Sequence, residues 1–530
     1  MNTIRQFLAL TLVVLVVLGL TLPVLGQDDE IVLGSFEDNA FSLQGLIPAG
    51  WSEAAPGVYA RGSGMGDLTS LIIQAAPGMT AADLTGVLLG QLGITALPEP
   101  VGEVATDHYT FTVYAIEVSL SGLELALDLA LAEDESGVTL VLLQTLADDY
   151  PALHEAVFLP AVNALAPLAE DDSAEATPET AKPYTEEAVT FTNPTADDVT
   201  LAGTLTLPEG DGPFPAVILI SGSGQQDRDE SMAPVAAIKP FALLADHLGQ
   251  NGIAVLRYDD RGFGQSTGDF FTANTADFAT DASAAVDYLL TRDEIDPAAI
   301  GLLGHSEGGM VAPITVTDRR AAGQDDIAFI IALAGPGVSG KDTLIEQNVS
   351  ILSTAGKTAE EIAEQVAFVT ELADLAIAEE IDAALELLYA RTVEQIEALP
   401  EEQRAAISDP EVYAQAQVDL ARPMYENWFP FFFAFEPAEL WPQIEIPVLA
   451  LFGGLDLQVS AEQNAPALEA ALQEGGNPDA TVIVIPTANH LFQEAETGAI
   501  EEYATLEQTF HPDLLPTITD WLLARFGLEA

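Results

Sequence analysis

Six short runs of apolar residues punctuate the chain after residue 215: Ala216 to Ile220, Ile253 to Leu256, Ile300 to Leu303, Phe329 to Leu333, Val448 to Phe452 and Thr481 to Ile485. Unbroken apolar strands, rather than alternating ones, belong to parallel sheets covered on both faces. Helical stretches separate the runs, so residues 184–530 predict an α/β domain, a mostly parallel sheet with helices on both sides.

The spacing breaks once. Between Phe329–Leu333 and Val448–Phe452 lie roughly a hundred residues, far more than the dozen or so that a crossover needs. Ile362, Val366, Val369, Ala373 and Ile377 repeat there at helical spacing, and Tyr425, Trp428, Phe429, Phe431, Phe432, Phe433 and Phe435 close the segment. A helical cap insertion is expected at about 338–445, over the strand C-termini where open α/β sheets bind ligands. Trp428, Phe429 and Phe432 are the candidate substrate-binding aromatics; packing of cap on core is the other reading of that cluster.

Residues 31–168 read as a small α+β domain. Leu123, Leu125, Leu127, Leu129 and Leu131 alternate as one strand face, Thr80-Ala81-Ala82-Asp83 begins a helix before Leu84, Val87, Leu88 and Leu92, and a last helix runs from Ala152 to Leu165. His108 and His154 stand alone, so no catalytic group is expected there. Residues 169–183 are acidic and poor in large apolar side chains, the composition of a linker.

At the start, Phe7 to Gly26 is almost wholly apolar, follows Arg5 and ends before Gln27-Asp28-Asp29-Glu30. This predicts a signal peptide over 1–26 and a secreted or cell-envelope protein. An uncleaved anchor is the rival, because the run is near spanning length, but Pro23 and Gly26 favour cleavage.

Charge narrows the partners. The 83 acidic and 16 basic residues give a formal charge of −67, which disfavours nucleic acid and anionic membrane surfaces. With no cysteine in the chain, disulfides, thiolate metal sites and a cysteine nucleophile are excluded. No metal or cofactor is expected.

The chemistry lies where one apolar run ends in Gly304-His305-Ser306-Glu307-Gly308. This G-x-S-x-G pentapeptide is followed by small residues that let a helix pack tightly, so a strand, sharp turn and helix are predicted. Ser306 is the candidate nucleophile. The pattern recurs as Gly264-Gln265-Ser266-Thr267-Gly268, but a polar loop separates that copy from its strand and Asp269-Phe270-Phe271 follow it; context selects Ser306.

A serine hydroxyl needs a base to take its proton, and the base needs a carboxylate to fix its tautomer. Asp456 follows the Val448 strand and His490 follows the next, so both leave the sheet at the same edge as Ser306. The order serine, acid, histidine is that of a nucleophile-elbow protein. His247, His305 and His511 fit the role less well. Oxyanion donors are expected from the N–H of Glu307 and of Ser223 in the Ser221-Gly222-Ser223-Gly224-Gln225 loop, with Gly224 the alternative to Ser223; a flexible glycine turn is the other reading.

The stretches SGSGQQDRDE at 221–230, YDDRGFGQS at 258–266, GHSEGG at 304–309 and TANHLFQ at 487–493 together resemble the alpha/beta-hydrolase superfamily, among bacterial carboxylesterases near the serine aminopeptidase and dienelactone hydrolase branches. The resemblance covers about 184–528. It implies an alpha/beta-hydrolase fold with Ser306, Asp456 and His490 as nucleophile, acid and base, and a small-molecule ester as substrate. Dienelactone hydrolases use a cysteine, which this chain lacks. The same triad serves an aminopeptidase or another amide hydrolase, and a retired scaffold that only binds is the remote alternative.

Overall fold

The computed structural model describes residues 31–168 and 182–527 apart from short internal stretches, the longest at 62–68, 78–96 and 405–409. The expected signal segment, the helix expected from Thr80 and nearly all of the linker lie outside the described residues.

Two compact units divide the chain, and neither is continuous. The smaller comprises residues up to Thr177 together with Leu388–Leu420; the larger comprises Pro178–Leu387 and Ala421–Ala530. The insertion expected to belong wholly to the C-terminal domain is thus split, its middle counting with the N-terminal residues.

Apolar surface explains the division. In the smaller unit a seven-stranded antiparallel sheet has Leu123–Asp134 between Gly137–Leu146 and Thr110–Leu120. Leu125, Leu127, Leu129 and Leu131, the alternating face read from sequence, are buried in one cluster with Ile396 and Tyr413 of the inserted segment. The opposite face buries Ala130, Val141 and Leu143 against Leu153, Val157 and Phe158. A sheet with two apolar faces needs both covered.

His154, expected to stand alone, does not. Its Nδ1 lies 2.6 Å from Oδ2 of Asp128, whose other oxygen accepts the Tyr150 hydroxyl at 2.8 Å. Asp128 is 1% exposed, and a carboxylate so buried requires partners. They lie 22 and 26 residues away, beyond any local pattern.

The larger unit holds the predicted sheet. Its strands are β1 (Tyr184–Thr192), β2 (Thr200–Pro208), β3 (Phe214–Ile220), β4 (Ala254–Tyr258), β5 (Ile295–His305), β6 (Phe329–Leu333), β7 (Val448–Gly453) and β8 (Ala480–Ile485), in the spatial order β1-β2-β4-β3-β5-β6-β7-β8. From β4 to β8 all pairing is parallel. The six apolar runs became β3 to β8.

The hairpin β1–β2 was absent from the sequence reading. Its pairing is antiparallel, and β1 sits at the sheet edge, with Glu186 and Glu187 in a run of exposed residues at 185–188. Charge on an edge strand blocks sheet-to-sheet association, but it also hides the strand from a search for apolar runs.

The longer helices are α1 (Pro240–Gln250), α2 (Thr275–Leu289), α3 (Gly308–Ala321), α4 (Gly340–Thr354), α5 (Ala359–Ile377), α6 (Ile381–Ala398), α7 (Pro410–Ala434), α8 (Ala461–Glu474) and α9 (Leu514–Phe526), and the helix expected from Ala152 to Leu165 runs through Tyr150–Leu153, the π-turn His154–Phe158 and Leu159–Ala164. The spacing at 362–377 lies on α5, where Val369 and Ala373 are buried but Ile377 is exposed. Among the described residues, no helix is long and apolar enough to cross a membrane.

Candidate active site

The turn from β5 into α3 carries Ser306 at φ +52°. A non-glycine residue there costs about 1–3 kcal/mol and persists only where its surroundings enforce it. The Ser306 N–H donates to the Leu333 carbonyl of β6 at 2.9 Å. A Cβ on Gly304 would overlap the Gly308 carbonyl, one on Gly308 would overlap the Ile220 carbonyl of β3, and one on Gly309 would stand 2.6 Å from Gly335 Cα. Glycines at these positions let α3 press directly on backbone and force the turn.

Ser266 has another occupation. Its hydroxyl donates to the Asp259 carbonyl at 2.7 Å and accepts the Ala202 N–H at 2.9 Å, and the residue is 4% exposed. The second pentapeptide pins a loop to β2.

Asp456 stands in the loop after β7 and His490 in the loop after β8. His490 Nδ1 lies 2.8 Å from Asp456 Oδ2, while Asp456 Oδ1 accepts the N–H groups of Gln458 and Val459 at 2.8 and 2.9 Å. Three contacts fix the carboxylate's orientation. The pair lies beside the elbow, because the His490 carbonyl accepts from His305 Nε2 at 3.0 Å and the two imidazole rings are 4.8 Å apart.

The loop after β3 closes over the same point. A Cβ placed on Gly222 would lie 3.2 Å from Ser306 Cβ, so a side chain there would crowd the serine. The Gly222 N–H is committed to Glu230 Oε1 at 3.1 Å, leaving Ser223 and Gly224 as the next amides, the latter at φ +94°. Asp260 shapes the loop by accepting the Ser221 hydroxyl at 2.6 Å and the Gln226 N–H at 2.8 Å. Burial raises the Asp260 pKa well above the usual carboxylate range, with Asp281 and Glu307 adding to it against those two hydrogen bonds.

Glu307, expected to serve through its N–H, also carries a buried side chain that the motif did not announce. Its Oε1 accepts the Thr275 hydroxyl at 2.6 Å and the Trp428 indole N–H at 2.8 Å, and the Ser223 side chain lies near the same carboxyl. Trp428 of α7 is thereby tied to the residue after the elbow, and stacks on Phe432 at 4.6 Å. Phe429 is turned away, 5% exposed between Tyr425 and Phe433. The one hint in sequence was an acidic residue within an otherwise apolar strand–turn–helix.

Burial raises the Glu307 pKa, although its hydrogen-bonding neighbours pull the other way. A carboxyl whose folded pKa exceeds its unfolded value adds stability that is complete below the unfolded value, about 4.3, and is lost as pH rises through the folded one. Glu307→Gln should therefore flatten the decline of the thermal midpoint above about pH 4.3 that the native chain shows. Calorimetry of both proteins across pH 4 to 8 measures it; identical slopes would refute a raised Glu307.

Comparison with known proteins adds three findings. The family model described as serine aminopeptidase, S33 (Hydrolase_4) matches residues 237–496. Esterase EstD of Thermotoga maritima is 28% identical over 297 residues, 56% of this chain and 59% of that protein, so the chain spans well under two thirds of this relative. Among solved structures, the Pyrococcus furiosus esterase Pf2001 aligns at 17% identity and TM-score 0.38 over 64% of this chain and 90% of its own. The dienelactone hydrolase of Anabaena variabilis aligns at 15% identity and 0.34 over 64% and 98%.

Proposed function

We propose that the chain is a member of the alpha/beta-hydrolase superfamily, as its family match and its esterase relative support, and that it is an exported serine hydrolase that cleaves small carboxylic esters through an acyl-Ser306 intermediate. Export rests on the apolar segment Phe7 to Gly26. The observation that carries the catalytic reading is the Asp456–His490 hydrogen bond beside a serine held at positive φ.

In this reading His490 Nε2 takes the Ser306 hydroxyl proton as Oγ attacks the ester carbonyl, while Asp456 holds the proton on Nδ1 and balances the imidazolium that forms. The tetrahedral oxyanion accepts the Glu307 N–H at the head of α3 and the N–H of Ser223, or of Gly224. Collapse expels the alcohol, which takes the proton from His490. Water, deprotonated by the same histidine, then releases the acid and restores Ser306. Trp428 and Phe432, partly exposed next to Glu307, are the proposed walls of the acyl pocket; Phe429 supports them from within α7.

An aminopeptidase reading on the same triad has the family match at 237–496 in its favour. It needs an anionic group to hold a substrate ammonium, and Glu307 already accepts the Thr275 and Trp428 donors and is pushed toward neutrality by burial. Esters are therefore preferred. The test is incubation with a fluorophosphonate followed by peptide mapping, then turnover of p-nitrophenyl esters against aminoacyl anilides. Label on Ser306 and faster ester cleavage are expected; label on Ser266, no label, or faster anilide cleavage overturns the assignment.

A further inference from the structure

Behind the proposed triad lies a second acid–histidine pair. Glu230 and His305 are 1% and 6% exposed, with His305 Nδ1 2.8 Å from Glu230 Oε1. The same carboxylate oxygen accepts the Gly222 N–H at 3.1 Å, and His305 Nε2 donates to the His490 carbonyl at 3.0 Å. Each end of the pair grips one of the two loops that must meet over Ser306.

We propose that Glu230 and His305 act as positioning residues for the ester hydrolysis proposed above: the proton held between Nδ1 and Oε1 couples the oxyanion loop to the histidine loop, and its loss uncouples them. The inference rests on that functional reading and extends it.

The proton count follows from the partners. A carbonyl oxygen only accepts, so Nε2 must carry a hydrogen. If Nδ1 had none while Glu230 was ionised, two lone pairs would face each other at 2.8 Å. One further proton must therefore sit between them, on nitrogen or on oxygen. Glu230 Oε2 is buried with no hydrogen-bond partner, so this carboxyl has only His305 and the Gly222 N–H to answer its charge. Glu230 also sits at φ +53°, one of the few non-glycine residues at positive φ, a conformation retained where surrounding contacts over-determine it.

The groups facing His305 are Glu230, the His490 ring and, behind that ring, Asp456. Burial works against an imidazolium here, but attraction to and hydrogen bonding with Glu230 outweigh it, and the His305 pKa lies above its ordinary value. The coupling is therefore intact at neutral pH and fails on the alkaline side.

Glu230→Gln in the full chain tests this, because glutamine keeps the shape and one acceptor oxygen but cannot hold the proton. With p-nitrophenyl acetate, kcat at pH 8 should fall roughly tenfold with KM changed less than about twofold, and the alkaline limb should move down by at least about one pH unit. A merely structural loss would scale the profile without moving the limb. Nitrogen-15 histidine spectra, assigned by replacing the other five histidines singly, should show both His305 nitrogens protonated at pH 7 in the unmodified chain. An unshifted limb in Glu230→Gln overturns the inference alone, and so does a bare Nδ1 facing an ionised Glu230, a reading that does not depend on the Glu230→Gln variant folding. An unmodified chain that neither turns over esters nor takes up a fluorophosphonate overturns the hydrolase reading, and this inference with it.

Discussion

Ser306→Ala should lower kcat for ester cleavage by about 10⁴- to 10⁶-fold while leaving stability nearly unchanged. Alanine sits at the same positive φ as the serine it replaces, so the strain of the turn is neither relieved nor increased. What disappears is the oxygen proposed to become acylated. The residual rate reports what the oxyanion donors and binding contribute without a nucleophile. Ser266→Ala is the matched control with the opposite signature. It leaves the Ala202 N–H without its acceptor in a buried loop, which should cost about 1–3 kcal/mol of stability and leave turnover largely intact. Steady-state kinetics and calorimetry on the two variants separate the identical pentapeptides; loss of turnover in Ser266→Ala with survival in Ser306→Ala would reverse the assignment.

Asp456→Asn should be nearly as damaging to turnover, about 10⁴-fold in kcat, although it alters one atom. Asp456 Oδ1 accepts two backbone N–H groups, from Gln458 and Val459, and an asparagine must keep its oxygen on that side to satisfy them. Its amide nitrogen then faces His490 Nδ1 as a donor. The imidazole is driven to carry its proton on Nε2, the nitrogen that must accept from Ser306. The fold persists but the base has the wrong tautomer. Ester kinetics across pH 6 to 9 check this. A loss of less than about tenfold would mean that Asp456 does not orient the base.

Much of the sheet and the three central residues could be read from sequence, for reasons that the structure makes physical. Strands β3 to β7 are buried along their apolar runs, and β8, apolar in sequence as well, lies at the sheet edge with Val484 exposed. Ser306, Asp456 and His490 each follow such a run directly, so locating the strands located them. The unread part depends on contacts between distant segments. Strand β1 is largely exposed and acidic, with only Tyr184, Val189 and Phe191 buried. His154 and Asp128 meet from a strand and a helix. The Glu307 side chain takes its meaning from Thr275, Trp428 and Ser223, which come from three separate elements. His305, read only as the neighbour of the serine, is a ring wedged between Glu230 and the His490 carbonyl; no spacing rule encodes a bridge whose two ends lie 75 and 185 residues away.

The split of the smaller unit bears on how the protein is made. Its leucine face, at Leu125 to Leu131, is completed by Ile396 and Tyr413, which leave the ribosome much later. At about 5–20 residues per second that interval is on the order of tens of seconds. The N-terminal sheet therefore lacks part of the cover of that face, Ile396 and Tyr413, until the segment Leu388–Leu420 arrives. Severing the chain within the acidic stretch at 169–183 would not release two intact pieces, because residues needed by the first are held in the second.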